Sequence, residues 1–308
     1  MPRLLLPLLL ACCGALAAGP GRDTPLPTLP YTPGLDPSFM DRSVDPCVDF
    51  YAYSCGGWQR QNPIPPDQAT WSVYGRLQDE IQRHLWGLLQ TAADPSSARS
   101  PVQTRIGDYF AACMNFPAGI LQPPLYDPKM DDAPGYGNTG MTIGHELTHG
   151  FDDEGRQYDA KGNLNDWWSP KDVAEFNRRA ACVSDQYSSY IAVDDIHVNG
   201  KLTLGEDVAD LGGLILAYRA WRSATANQRL MPIDGLTPDQ RFFVGYAQWA
   251  CASVRPQVAR LRARTDPHSP SKYRVNGLMV NVPEFGQAFS CKPGTPMTRP
   301  AEKSCKVW

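Results

Sequence analysis

The sequence predicts a mainly α-helical chain with a small β part, an α+β class, and three observations carry that expectation. Apolar residues recur at helical spacing, as in Leu77, Ile81, Leu85, Leu88 and Leu89. Helix starts are clearly marked: Thr237-Pro238-Asp239-Gln240 reads as a capping box with proline at the first helical position. The tail from Thr265 onward is rich in proline and glycine and holds Cys291 and Cys305, which predicts loops tied by disulfides. At 308 residues and 42% hydrophobic content, the chain is long enough to bury one substantial core or two small ones. Basic and acidic residues nearly balance, 29 against 32, and no basic stripe stands out, so nothing points to a nucleic-acid partner.

Taken in order, residues 1–18 read as a secretory signal. Arg3 supplies the charge, Leu4 to Ala11 the short apolar core, and Ala15-Leu16-Ala17 the small-residue cleavage site. That run is too short for a permanent transmembrane helix. Leu10-Ala11-Cys12 also permits a lipoprotein reading, with a lipid anchor on Cys12. Residues 19–44 form a proline-rich leader. A helix is expected from Asp45-Pro46, with Cys47 and Cys55 on one face and Gly56-Gly57 ending it. The next begins near Gly75, with His84 off its apolar stripe and solvated, and a third begins at Ser100-Pro101 and runs to Cys113. These make an N-terminal helical part, 45–115, and the remainder, 116–308, is the part that carries the chemistry. There a helix opening near Thr139 has the apolar stripe Ile143, Leu147 and Phe151. Trp167-Trp168 is expected in the core beneath it, followed by a helix over about Pro170 to Tyr190.

Gly144-His145-Glu146-Leu147-Thr148-His149 sits on that helix. His145 and His149, four apart, share one helix face, a spacing that suits Zn²⁺. Glu146 flanks the space between them, where a carboxylate can take a proton from metal-bound water. This is the metalloprotease reading of the H-E-x-x-H pattern. A third ligand is available in Thr203-Leu204-Gly205-Glu206-Asp207-Val208-Ala209-Asp210, where Glu206 would complete a His₂Glu site. Asp210 would then accept the free N–H of a ligand histidine. Thr203 followed by Glu206 also fits a capping box, and one carboxylate cannot fill both roles. Gly212-Gly213 would allow close packing of this second helix on the first.

These segments, with Gly150-Phe151-Asp152-Asp153, Asn199-Gly200, His268-Ser269-Pro270, Arg274-Val275-Asn276-Gly277 and Cys305-Lys306-Val307-Trp308, resemble the neprilysin/endothelin-converting-enzyme family of zinc metalloendopeptidases, within the gluzincins. The resemblance implies a thermolysin-like zinc peptidase catalytic lobe with one Zn²⁺ per chain and peptide substrates. It implies His145, His149 and Glu206 as metal ligands and Glu146 as general base. Asp210 follows as the partner of a ligand histidine, His268 as oxyanion donor and Arg274 as binder of a substrate carbonyl. It also implies the disulfides Cys47–Cys291, Cys55–Cys251 and Cys182–Cys305. Cys113 is left as a free thiol, because the family partner falls in a stretch this chain lacks. Members of the family are more than twice as long. A largely helical lobe covering the site, and an Asn-Ala-aromatic segment that pairs with substrate, have no match here. Ala250, preceded by Trp249, and Thr142 depart from the family's pocket residues, which weakens any inferred preference for bulky apolar side chains. Export follows from the signal, to the medium or the cell envelope. An active endopeptidase, an inactive zinc-binding relative and a non-functional truncated product are the outcomes the sequence leaves open.

Overall fold

Asp49 starts the first helix, α1 (Phe50–Gln61), by accepting the Ala52 N–H with its side chain. The structure, a computed structural model, describes residues 24–66, 68–93, 122–159 and 163–307. Asp45 makes a turn ahead of that helix, its carboxylate accepting the Cys47 N–H, so the start falls later than Asp45-Pro46. Gly56-Gly57 lies inside α1, contrary to the expected stop. A Cβ on Gly57 would come within 2.3 Å of the Ser38 carbonyl, so glycine here admits a second stretch of backbone.

Strand β1 (Thr70–Ser72) runs directly into α2 (Val73–Ala93). His84, expected in solvent, is part-buried with Nδ1 3.0 Å from the Leu26 carbonyl. A single turn (Asp132–Gly135) and a π-helical stretch (Tyr136–Gly140) feed α3 (Met141–His149). Next come α4 (Pro170–Ser188), capped by Ser169, and the hairpin strands β2 (Ile191–Val193) and β3 (Ile196–His197). Helix α5 (Leu204–Ala224) and helix α6 (Pro238–Trp249) follow, the latter opened by the expected Thr237/Gln240 capping box. Strand β4 (Ala252–Val254) pairs antiparallel with β1, Trp71 opposite Ser253. The rest is α7 (Pro256–Thr265), α8 (Ser271–Met279) and α9 (Pro283–Ala288). The tail is therefore more helical than its composition suggests. Pro283 stands at the first position of α9, where a missing N–H costs nothing, and Pro270 directly precedes α8, while Pro267, Pro293, Pro296 and Pro300 lie in turns and loops.

Helix α5 is apolar on most sides and lies in the core, with Val208, Leu211, Leu214 and Trp221 buried. Trp221 stacks on Phe242 of α6. Phe50, Cys55 and Trp58 bring α1 against the same core. Disulfides Cys47–Cys291, Cys55–Cys251 and Cys182–Cys305 join distant segments. The stripe Ile143, Leu147 and Phe151 does not enter the core: these residues are 57%, 63% and 47% exposed. Helix α3 instead buries Met141, Gly144, His145 and Thr148, because its contact with α5 is made on the histidine side. Trp167 is also exposed, its indole N–H donating to the Tyr158 carbonyl, whereas Trp168 packs edge-on against Phe176. The signal, Cys12, the helix expected from Ser100 and Cys113 lie outside the described residues. Among the described residues, no helix is long and apolar enough to cross a membrane.

The buried phenols predict a limit to alkaline stability. Tyr51 donates to the Ala252 carbonyl, and burial pushes its hydroxyl up to about 12. Burial also raises Tyr187 and Tyr246. A pKa raised in the folded state means stability that is intact below the unfolded value near 10 and is lost as pH rises through the folded value. The phenols' contribution to the unfolding free energy from denaturant melts is expected to be level up to about pH 10. It should then fall, with Tyr51 alone contributing roughly 2–3 kcal/mol of the loss by pH 12. Tyr51→Phe should flatten that decline.

Candidate metal centre

Two glycines set the geometry. A Cβ on Gly213 of α5 would lie 2.5 Å from the His145 backbone nitrogen, and one on Gly144 of α3 would lie 2.8 Å from the Gly213 carbonyl oxygen. The two helices therefore meet backbone to backbone, as Gly212-Gly213 suggests in the sequence. That contact brings the first turn of α5, with Glu206, against the imidazoles of α3. His145 Nε2 lies 3.0 Å from His149 Nε2 and 3.2 Å from Glu206 Oε2, and His149 Nε2 is 3.7 Å from Glu206 Oε1. Among the described residues, these three form the group able to hold a metal ion, one ligand atom from each lying within 4.8 Å of the others.

The donor set fits zinc. Glu206 Oε2 is buried and makes no aligned hydrogen bond, and the two imidazole Nε2 atoms face each other and the Glu206 carboxylate. Metal–ligand bonds of about 2.0–2.1 Å at tetrahedral angles separate ligand atoms by about 3.3 Å, close to the spacings found. The capping-box alternative is not what the structure contains. Thr203 makes no cap hydrogen bond; its hydroxyl donates to Asp207, and Glu206 turns to the histidines.

Carboxylates hold both rings from behind. Asp210, fully buried, places Oδ1 2.8 Å from His145 Nδ1, an ion-pair contact off the hydrogen-bonding line. His149 Nδ1 meets Asp152 Oδ2 at 2.6 Å, while Asp152 Oδ1 accepts the N–H groups of Glu154 and Gly155. In each ring the contact at Nδ1 leaves Nε2 for the metal. Burial works against the charged form of His145, yet Asp210 and Glu206 outweigh it and hold the ring up at about 9 in the metal-free protein. Asp152 raises His149 in the same way, against its burial. Burial also opposes ionisation of Glu206 and Asp210. His145, His268 and Arg274 hold Glu206 below its ordinary value, and Arg274 with His145 holds Asp210 down at about 2.

Arg274 grips Asp210 through two hydrogen bonds of 2.7 and 2.6 Å and lies over the Trp249 ring, 4.9 Å from its centre. The family resemblance implies a substrate role for Arg274; the structure engages it with Asp210. His268 is 45% exposed, with Nε2 3.2 Å from Glu206 Oε1 and Nδ1 3.0 Å from Asp266 Oδ1. Exposed Glu146 joins His145, Asp210, His268 and Arg274 around a cleft of about 810 Å³, with Tyr74 and Trp249 on its wall. Asp152, Asp266 and Tyr74 are not singled out by the sequence reading. Asp152 could have been found, since it follows a candidate ligand by three residues, within reach of one helical turn. Asp266, two residues before His268, was within the same kind of local reach, and Tyr74 depends on a chain return that leaves no local signal. Asp152→Ala is expected to weaken zinc binding by about 10–100-fold, measured by competition with a chelator.

Two models of peptidase family M13 match this chain, one over residues 109–305 and the other over residues 46–130. The chain belongs to peptidase family M13. Over 241 residues this M13 chain is 42% identical to neprilysin-1 of Caenorhabditis elegans, covering 76% of this chain and 30% of that protein. Human endothelin-converting enzyme 1 is 44% identical over 209 residues, covering 66% of this chain and 27% of its own length. Among solved structures, zinc metalloprotease Zmp1 of Mycobacterium tuberculosis in complex with an inhibitor superposes with a TM-score of 0.60 at 42% identity. That match covers 62% of this chain and 30% of the other. A partial open state of the same metalloprotease reaches 81% of this chain and 40% of the other, at a TM-score of 0.55 and 34% identity. The M13 chain thus spans about 30% of the length of the curated relatives it matches.

Proposed function

We propose that the chain is a zinc-dependent metalloendopeptidase that hydrolyses peptide bonds in oligopeptides, with Glu146 as general base. The observation that carries this reading is the convergence of His145, His149 and Glu206 beside a cleft that also presents Glu146 and His268. Zinc, when bound by these three side chains, supplies Lewis acidity and lowers the pKa of a coordinated water towards neutrality. Glu146 takes the proton of the attacking water and returns it to the amine that leaves. His268 donates to the carbonyl oxygen as negative charge gathers there, held for that purpose by Asp266. Asp210 orients His145. Arg274 has five N–H donors, not all spent on Asp210, and offers the remainder to a substrate carbonyl. Export to an oxidising compartment is part of the proposal, supported by three disulfides in the fold.

The test is metal analysis of the purified chain together with cleavage of a quenched peptide. One zinc per chain is expected, with cleavage abolished by a chelator and restored by added zinc. Zinc at one per chain without cleavage would identify an inactive zinc-binding relative. No zinc and a broad, non-cooperative melt would identify a truncated product that does not fold stably.

A further inference from the structure

Asp207 is buried beside the metal-binding cluster and has no part in the scheme above. One of its oxygens, Oδ2, accepts two hydroxyl donors from separate parts of the chain. Thr203 Oγ1, at the entrance of α5, lies 2.8 Å away, and Ser269 Oγ, beyond α7, lies 3.0 Å away. All three residues are buried, with 1% of Asp207, 4% of Thr203 and 4% of Ser269 exposed. The remaining oxygen, Oδ1, has no hydrogen-bond partner. Burying an acid on these terms carries a desolvation cost, so the two contacts made at Oδ2 bear most of what the residue does. Its neighbours on either side matter. Glu206 precedes it, and Ser269 directly follows His268, whose Nε2 stands 3.2 Å from Glu206 Oε1. Asp266 fixes the other flank of His268, accepting both its backbone N–H and its ring nitrogen contact at 3.0 Å.

We propose that Asp207 is a positioning residue for His268: by holding Ser269 to the first turn of α5, it sets the distance between the histidine and the carboxylate of Glu206. This inference rests on the peptidase reading of His268 given above. A side chain that merely filled the core would not care which residue lies beyond Ser269, whereas a positioning residue acts only through His268. An oriented donor displaced by about 1 Å loses on the order of a hundredfold in rate.

The experiment is a mutational cycle on the zinc-loaded full chain, read by kcat and KM on a quenched peptide and by zinc content. Asp207→Ala is expected to lower kcat about 10–100-fold and Ser269→Ala about tenfold, with KM and zinc stoichiometry kept. Asp207→Asn, which retains an acceptor oxygen, should recover most of the loss. On a His268→Ala background, neither Asp207→Ala nor Ser269→Ala should have a further effect. Full additivity with His268→Ala, or a change in KM in place of kcat, would overturn the proposal. Ser269→Ala carries the test if Asp207→Ala does not fold. A second readout needs no catalysis: the His268 ring Cε1–H signal in the metal-free protein. It should be a single resonance in the parent and broadened or doubled in Ser269→Ala. An unchanged signal counts against Asp207 even if the parent chain cleaves nothing, an outcome that would instead remove the peptidase reading.

Discussion

Glu146→Gln is expected to reduce kcat/KM for a peptide substrate by about 10²–10⁴-fold while leaving zinc content and thermal stability as in the parent. The size follows from the role proposed. Glutamine keeps the shape and the hydrogen-bonding reach of the side chain but cannot accept the proton of the attacking water. The absence of a stability effect follows from position. Glu146 is exposed at the cleft and stands outside the buried network of Asp210, Arg274 and His145. Surface substitutions of that kind change stability by no more than about 0.5 kcal/mol. Steady-state kinetics beside metal analysis and a melt separate the two effects. Retention of more than a tenth of the parent activity would mean that another group takes the proton.

Asp210→Ala is expected to act in the opposite way, on the fold first and the chemistry second. Asp210 is fully buried and neutralises Arg274, which is itself 14% exposed at its side chain. Removing the carboxylate leaves a guanidinium without its bidentate partner. Breaking a buried pair from one side costs about 3–5 kcal/mol. The imidazole of His145 loses its support at Nδ1 in the same step, so zinc affinity should fall together with stability. Denaturant melts of the metal-free chain isolate the first loss, and chelator competition reports the second. Asp210→Asn, which keeps one acceptor for Arg274, should be milder in both. If Asp210→Ala melts like the parent, the pair contributes little and the network argument fails.

The chemistry of this chain was more legible in its sequence than the packing around that chemistry. Two histidines four apart form one short local pattern, and Glu206 with Asp210, four apart at the start of a later helix, forms another. Helix geometry turns such a pattern into a face, and the structure brings His145, His149 and Glu206 together accordingly. Gly213 was legible for the same reason, because a glycine in the middle of a helix invites a close neighbour. The Ile143, Leu147 and Phe151 stripe shows where periodicity misleads. Apolar spacing identifies a helix but does not say which side of it faces the core, and here the histidine side does. The tail shows the limit of composition: residues 289–307 are turns and loops tied by Cys291 and Cys305, but α8 and α9 precede them in an equally proline- and glycine-bearing stretch. Proline at the first turn of a helix and proline in a loop contribute equally to a count. The contact of Asp207 with Ser269 is hidden for a third reason. It comes from a fold that brings the start of α5 to the far end of α7, and no local spacing encodes that return, whereas Asp266 meets His268 only two residues on.

The way the three cystine bridges overlap has a practical consequence for anyone handling the protein. Cys47 and Cys55 near one end are tied to Cys291 and Cys251 near the other. A single proteolytic nick anywhere between Cys55 and Cys182 therefore yields two fragments still stapled together twice. A nick between Cys182 and Cys251 leaves them stapled three times, since the bridge from Cys182 to Cys305 then also spans the break. Such clipped material would migrate as one band on a non-reducing gel and separate into two only after thiol treatment.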